Sequence, residues 1–266
     1  MLGVLIGAAL AAYGVVVGGL YLFQRQLLYF PDRSRPDFGE LAPFGVREVM
    51  LPTADGLSLL SWYLPARDSR PVVAYFHGNG GHIGYRAERL RRFAREGYGV
   101  LMLEYRGYGG NPGTPTETGL YADGAAALDF LAHQGIMPHR LVLYGESLGS
   151  AVAVYLAARR DIAGLVLEAP FTSVVEVAQY HYSFVPASVL VHDRFDSISS
   201  IGKIKAPILV LHGDRDRVVP PRYGRALFDA APEPKEFWFA PEAGHEDLAL
   251  FGAIDAAIAF IDRRLG

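Results

Sequence analysis

The apolar run Leu141-Val-Leu-Tyr passes through Gly145-Glu146-Ser147-Leu148-Gly149 straight into the small-residue stretch Ser150-Ala-Val-Ala-Val-Tyr-Leu-Ala-Ala. A buried strand joined without a linker to a closely packed helix leaves the chain few options. The turn must be sharp, its serine must take a strained backbone, and the flanking glycines must let helix and strand approach each other. The hydroxyl then stands at a helix N-terminus, where backbone amides favour developing negative charge. A G-x-S-x-G sequence recurs by chance, but between a strand and a helix it predicts a nucleophile at Ser147. Ser150, three residues on, faces another direction and reads as structural.

A serine hydroxyl is a weak nucleophile at its own pKa, so a base and an orienting acid are required, in the chain order Ser, Asp or Glu, His. His245 lies in the polar stretch Pro241-Glu-Ala-Gly-His245-Glu-Asp, between the last expected strand and the terminal helix. Two aspartates compete for the acid in His212-Gly-Asp214-Arg-Asp216-Arg-Val-Val-Pro. Asp216, farther into the turn, is the expected acid, and Asp214 the expected cap or brace of the loop. Two backbone amides should hold an oxyanion: that of Leu148, after the nucleophile, and that of Asn79 in Phe76-His77-Gly78-Asn79-Gly80-Gly81-His82. A dinucleotide-binding turn fails in the same loop, because a count from Gly78 and Gly80 puts Ile83 where the third glycine belongs.

Composition removes other chemistries. No cysteine is present, which excludes disulfides, thiolate metal sites and a cysteine nucleophile. His77 and His82 lack companions at ligand spacing and read as loop braces, while His181 and His192 read as structural or substrate-facing. Neither a metal nor a cofactor is expected. A net charge of -3 with 20% charged residues excludes a polybasic nucleic-acid binder, and 51% hydrophobic residues exclude disorder by charge repulsion.

Beyond Pro36, short apolar runs alternate with helix-period stretches. Strands are expected at 46–51, 57–64, 72–76, 100–104, 141–145, 164–168, 208–212 and 235–239, and helices at 85–96, 116–134, 148–160, 221–230 and 247–264. Continuous apolar strands imply burial on both faces, as in a mostly parallel sheet clad by helices. Residues 171–200 break the alternation and read as a lid-like insertion over one end of the sheet.

The 22 residues from Leu2 to Phe23 carry no charge, enough for a helix to span a hydrocarbon core of about 30 Å. A cleaved secretory signal and a buried core helix are the alternatives, although a signal has a basic start and nothing but the α-amino group precedes Leu2. Arg25, Arg33 and Arg35 follow the segment, so the positive-inside rule puts the remainder on the cytoplasmic side. The expected organisation is a transmembrane anchor over 1–24, a juxtamembrane segment over 25–44 and a catalytic domain over 45–266. Leu27-Leu-Tyr-Phe30 in the second of these suits the headgroup boundary.

The stretches FHGNGGHIGYR, LEYRGYGGNPGTPTE, YGESLGSAVAV, KAPILVLHGDRDRVVP and EAGHEDL resemble the Bem46-like branch of the α/β-hydrolase family, which includes the membrane-anchored alpha/beta hydrolase domain 13 and 17 proteins. The resemblance covers nearly the whole chain. It implies an α/β-hydrolase fold, Ser147 as nucleophile, Asp216 as acid, His245 as base, Leu148 and Asn79 for the oxyanion, and Arg106 as a tie between loops. Relatives that remove palmitoyl groups from proteins have a cysteine-rich, lipidated N-terminus, a device this chain lacks. The activity expected is cleavage of carboxylic esters or thioesters of acyl or lipid-like substrates through an acyl-serine. An aminopeptidase would need carboxylates for the substrate amine, and Glu146 and Glu168 stand as candidates or as buried braces. A non-catalytic membrane-tethered interaction protein is the third alternative.

Overall fold

In a computed structural model, which describes residues 1–265, the chain forms a helix-clad sheet preceded by one long helix. Gly266, the last residue of the expected catalytic domain, lies outside the described residues. The elements that position the site are α1 (Leu2–Leu28), β1 (Phe30–Pro31), β2 (Arg47–Pro52), β3 (Ser58–Leu64), β4 (Val72–Phe76), β5 (Gly80–Gly81), α2 (Ala87–Arg95), β6 (Gly99–Leu103), α3 (Glu117–His133), β7 (Leu141–Glu146), α4 (Leu148–Ala157) and β8 (Gly164–Glu168). After these come α5 (Val174–His181), α6 (Ala187–Leu190), α7 (Ile198–Ile201), β9 (Ile208–Gly213), α8 (Pro221–Ala230), β10 (Lys235–Ala240) and α9 (Ala253–Leu265).

Eight strands form the main sheet in the order β10-β9-β8-β7-β4-β6-β3-β2. The six from β10 to β6 run parallel, while β3 and β2 are antiparallel to their neighbours. Every residue of β4, β6, β8 and β9 is buried, as a strand covered on both faces requires. Two apolar cores account for that burial. One lies under α3 and α4, with Phe76, Leu103, Leu143, Leu167 and Val210 turned towards it. The other lies under α2 and α9, with Tyr75, Met102, Tyr144, Val166 and Leu209. Successive strand residues point to opposite faces, so each strand supplies both.

Residues 171–200, the expected insertion between β8 and β9, form α5, α6 and all but the last residue of α7. The structure departs from the sequence reading at its N-terminal end. α1 continues through Arg25 to Leu28, beyond the expected anchor boundary, and residues 29–31 enter the body that holds the main sheet. Tyr29, expected at a headgroup boundary, is buried, and β1 pairs in parallel with β5 (Phe30 with Gly80, Pro31 with Gly81). Neither two-residue strand was among those expected.

Candidate active site

Four loops at the C-terminal ends of neighbouring parallel strands converge on one point, as open α/β sheets favour. The turn after β7 delivers Ser147 with φ 49° and ψ −114°, the strained backbone expected of it. Gly149 allows the close approach: a Cβ there would lie 2.0 Å from the carbonyl oxygen of Phe76 in β4, so no larger residue fits. β9 and β10 deliver the loops of Asp216 and His245.

Ser147 Oγ lies 2.9 Å from His245 Nε2, and His245 Nδ1 lies 2.7 Å from Asp216 Oδ2. An ionised carboxylate only accepts, so Nδ1 carries the proton and Nε2 is left to accept from the serine hydroxyl. Asp216 is held from all sides. Its Oδ1 accepts the backbone N–H groups of Val218 and Val219 at 2.9 and 2.8 Å, and His212 Nε2 stands 3.3 Å from its Oδ2. Burial works to raise this carboxyl, but hydrogen bonds from His212 and His245 outweigh it and hold it well below the usual carboxylate range. Burial likewise works to lower His245, and the hydrogen bond to Asp216 with that residue's charge raises it instead.

Leu148 opens α4, so its N–H has no intrahelical acceptor. The backbone N–H of Asn79 has no acceptor among the described residues, and both residues line the same cavity as Ser147. Asn79 is itself fixed, its side chain donating to the Leu28 carbonyl at 2.8 Å and its carbonyl accepting from Phe30 N and Tyr108 Oη.

The structure corrects the reading of Asp214. Its carboxylate is exposed and makes no hydrogen bond or ion pair among the described residues, and only its backbone N–H is held, by the Ala240 carbonyl. Bracing falls instead to His212, buried within β9 and donating to the Val219 carbonyl at 2.9 Å. Its position in Leu-His-Gly-Asp was the available signal. Glu146 and Glu168 are both occupied. Arg86 Nη2 reaches Glu146 at 2.8 Å, Arg89 Nη2 reaches Glu168 at 2.8 Å, and the Tyr75 and Tyr144 hydroxyls donate to the same two carboxylates. Arg106 ties its loop to α3 through Asp123 and to the β2–β3 turn through Asp55, His77 is buried against Glu104, and His82 caps a short helical turn. His181 and His192 lie in the insertion, where they bond the Val218 carbonyl and Tyr21. No group of histidine and carboxylate side chains among the described residues has the arrangement of a metal site.

Ser147 opens into an apolar cavity of about 310 Å³. Leu20 and Leu28 of α1 form part of its wall, and Val174, Val177, Leu190 and Val191 of the insertion form another part. Its one carboxylate, Asp193, is bound to Arg25 at 2.9 Å and to the Tyr29 hydroxyl at 3.1 Å. A second, wider and more polar depression also reaches Ser147 and His245, past Arg86 and Asp247.

This sheet, with its Ser-His-Asp arrangement at the strand ends, defines an α/β hydrolase. The family model described as serine aminopeptidase, S33, matches residues 67–198 and 196–249. Protein bem46 of Schizosaccharomyces pombe is 34% identical over 259 residues, covering 91% of this chain and 87% of its own. Human alpha/beta hydrolase domain-containing protein 17B is 34% identical over 235 residues, covering 86% and 79%. The chain belongs to the Bem46-like branch of the α/β-hydrolase family. Among solved structures, the Pyrococcus furiosus esterase Pf2001 shares the fold with a TM-score of 0.73 at 22% identity, over 89% of this chain and 100% of that one.

Proposed function

We propose that this hydrolase is membrane-anchored and cleaves carboxylic esters or thioesters of acyl or lipid-like substrates, with Ser147 as the nucleophile. The observation that carries the reading is the hydrogen-bonded chain Ser147-His245-Asp216 at the mouth of an apolar cavity. Ser147 Oγ attacks the substrate carbonyl carbon while His245 Nε2 takes its proton, and the negative charge placed on the carbonyl oxygen is met by the N–H groups of Leu148 and Asn79. Collapse of this intermediate expels the alkoxide or thiolate, which leaves with the proton from His245. Water then attacks the acyl-serine, again giving a proton to His245, and the acid departs as Ser147 recovers its hydrogen. Asp216 holds the ring and stabilises the imidazolium without being protonated.

An apolar cavity favours an acyl group over a peptide N-terminus. A substrate amine beside the scissile bond needs a free carboxylate, whereas Glu146, Glu168 and Asp193 are each neutralised by an arginine. Against a non-catalytic scaffold stands the depressed pKa of a buried Asp216, which has no structural ion pair to serve other than with histidines.

α1 is long and apolar enough to cross a bilayer. Its last turns also line the cavity, which supports retention over cleavage as a signal. Arg25, Arg33 and Arg35 favour the cytoplasmic side for the body. A series of p-nitrophenyl esters of increasing acyl length, with Ser147→Ala as control, tests the reading. Turnover is expected to rise from acetyl towards medium-chain esters and to vanish in the variant, and absence of turnover on all of them overturns it.

A further inference from the structure

The insertion does not sit over the sheet alone. Asp193 meets Arg25 and Tyr29, the Leu190 carbonyl and His192 amide meet Gln24, and the Phe184 carbonyl accepts the Tyr13 hydroxyl at 2.8 Å. The insertion thus climbs α1 from Arg25 to Tyr13, about 18 Å at 1.5 Å per residue. Tyr13 stands at the middle of the uncharged segment Leu2–Phe23. If that segment spans the bilayer, the part of the insertion beside Tyr13 is at bilayer depth as well.

Its sequence fits such a place. From Val177 to His192 there is no Asp, Glu, Lys or Arg, and the apolar side chains at its tip point away from the protein: Phe184 is 53% exposed and Val189 79%. Exposed apolar side chains on a stretch without charge suit contact with a lipid phase. The charged residues that bound the stretch lie towards the hydrolase body: Glu176 accepts from the Thr172 hydroxyl, and Asp193 is paired with Arg25 at the helix exit.

Resting on the acyl-ester reading above, we infer that α1 and the insertion together form an acyl portal immersed in one leaflet, through which a bilayer-resident ester slides its chain into the cavity without leaving the lipid. α1 is then a wall of the substrate site as well as a tether. The cavity, about 310 Å³ and lined mostly by apolar side chains, is of the size and character that accepts an acyl chain. The scissile carbonyl remains beside Ser147, at the level where α1 ends and Asn79 is tied to Leu28.

The absence of native cysteine allows a direct test on the full-length chain in phosphatidylcholine vesicles. A fluorophore is placed at Phe184→Cys, whose backbone carbonyl meets Tyr13, and at Met137→Cys as control, since Met137 is exposed just before β7 at the opposite end of the sheet. Lipids with a nitroxide in mid-chain are expected to quench roughly half or more of the signal at position 184 and little at 137. In parallel, Leu20→Trp should lower the ratio of kcat/KM on decanoyl to that on acetyl ester about tenfold or more. Equal quenching at the two positions overturns the immersion, and an unchanged ratio overturns the acyl cavity. Failure of the unsubstituted chain to cleave any ester instead removes the hydrolase reading, and with it the acyl half of this one, while the fluorescence independently decides the immersion.

Discussion

Asn79 donates its side-chain amide to the carbonyl of Leu28 at 2.8 Å, fastening a residue beside Ser147 to the last turn of the N-terminal helix. The same Asn79 accepts Phe30 N, so helix end and loop hold each other. A chain that begins at Pro36 loses both bonds, the β1–β5 pair and one cavity wall. Its kcat/KM is therefore expected to fall on small soluble esters as well as on vesicle substrates. Asn79→Ala keeps the backbone N–H and removes the tie alone. It should lower kcat about tenfold, through a displaced oxyanion donor, while costing only about 1 kcal/mol of stability. Steady-state kinetics with thermal unfolding separate the two effects, and an unchanged kcat contradicts the placement.

The two aspartates of the β9 loop should separate cleanly. Asp216→Asn leaves the ring of His245 without its ionised partner and is expected to lower kcat by up to about 10^4, the loss that an orienting acid carries in serine hydrolases. Asp214→Asn should change neither turnover nor Tm, since its carboxylate is exposed and has no partner among the described residues. Loss of activity in the second variant and not the first would reassign the acid.

The pH profile has a fixed sign. His245 accepts a proton only when neutral, and Asp216 raises it above the ordinary histidine value of about 6.5. On the acid side, kcat/KM should therefore fall with a midpoint above about 6.5. The residual activity of Asp216→Asn should show its acid limb at lower pH, because the charge that favoured the imidazolium is gone. A limb that stays in place contradicts the pairing.

Beneath the nucleophile, Arg86 and Arg89 hold Glu146 well below the usual carboxylate range although burial works to raise it. Arg86→Met leaves this carboxylate, whose side chain is 15% exposed, short of its main partner. A loss of roughly 3 kcal/mol is expected. It should appear as a lowered Tm in detergent, and an unchanged Tm would show that Arg89, 4.0 Å away, suffices.

Much of this was legible in the residues, for reasons that differ by element. β4, β8 and α8 occupy their expected bounds because an unbroken apolar run, or a proline at the first turn, leaves little choice of register or start. Ser147, Asp216 and His245 could be placed in order because strand ends and turn residues mark their loops. The β1–β5 pair could not be read: a Phe-Pro dipeptide and a Gly-Gly dipeptide 50 residues apart carry no periodicity. Arg25 gave the opposite difficulty. A charge after an uncharged run reads as the end of an anchor, yet α1 continues through it, because Asp193, 168 residues later, supplies the partner.

The measurement that tests the central claim most directly is the site of a fluorophosphonate adduct on the full-length protein. Only a serine activated by a base reacts readily with such a probe. Intact mass should show one adduct, peptide mapping should put it on Ser147, and Ser147→Ala should remain unlabelled with its fold unchanged. An adduct on another residue, or labelling that survives Ser147→Ala, contradicts the account.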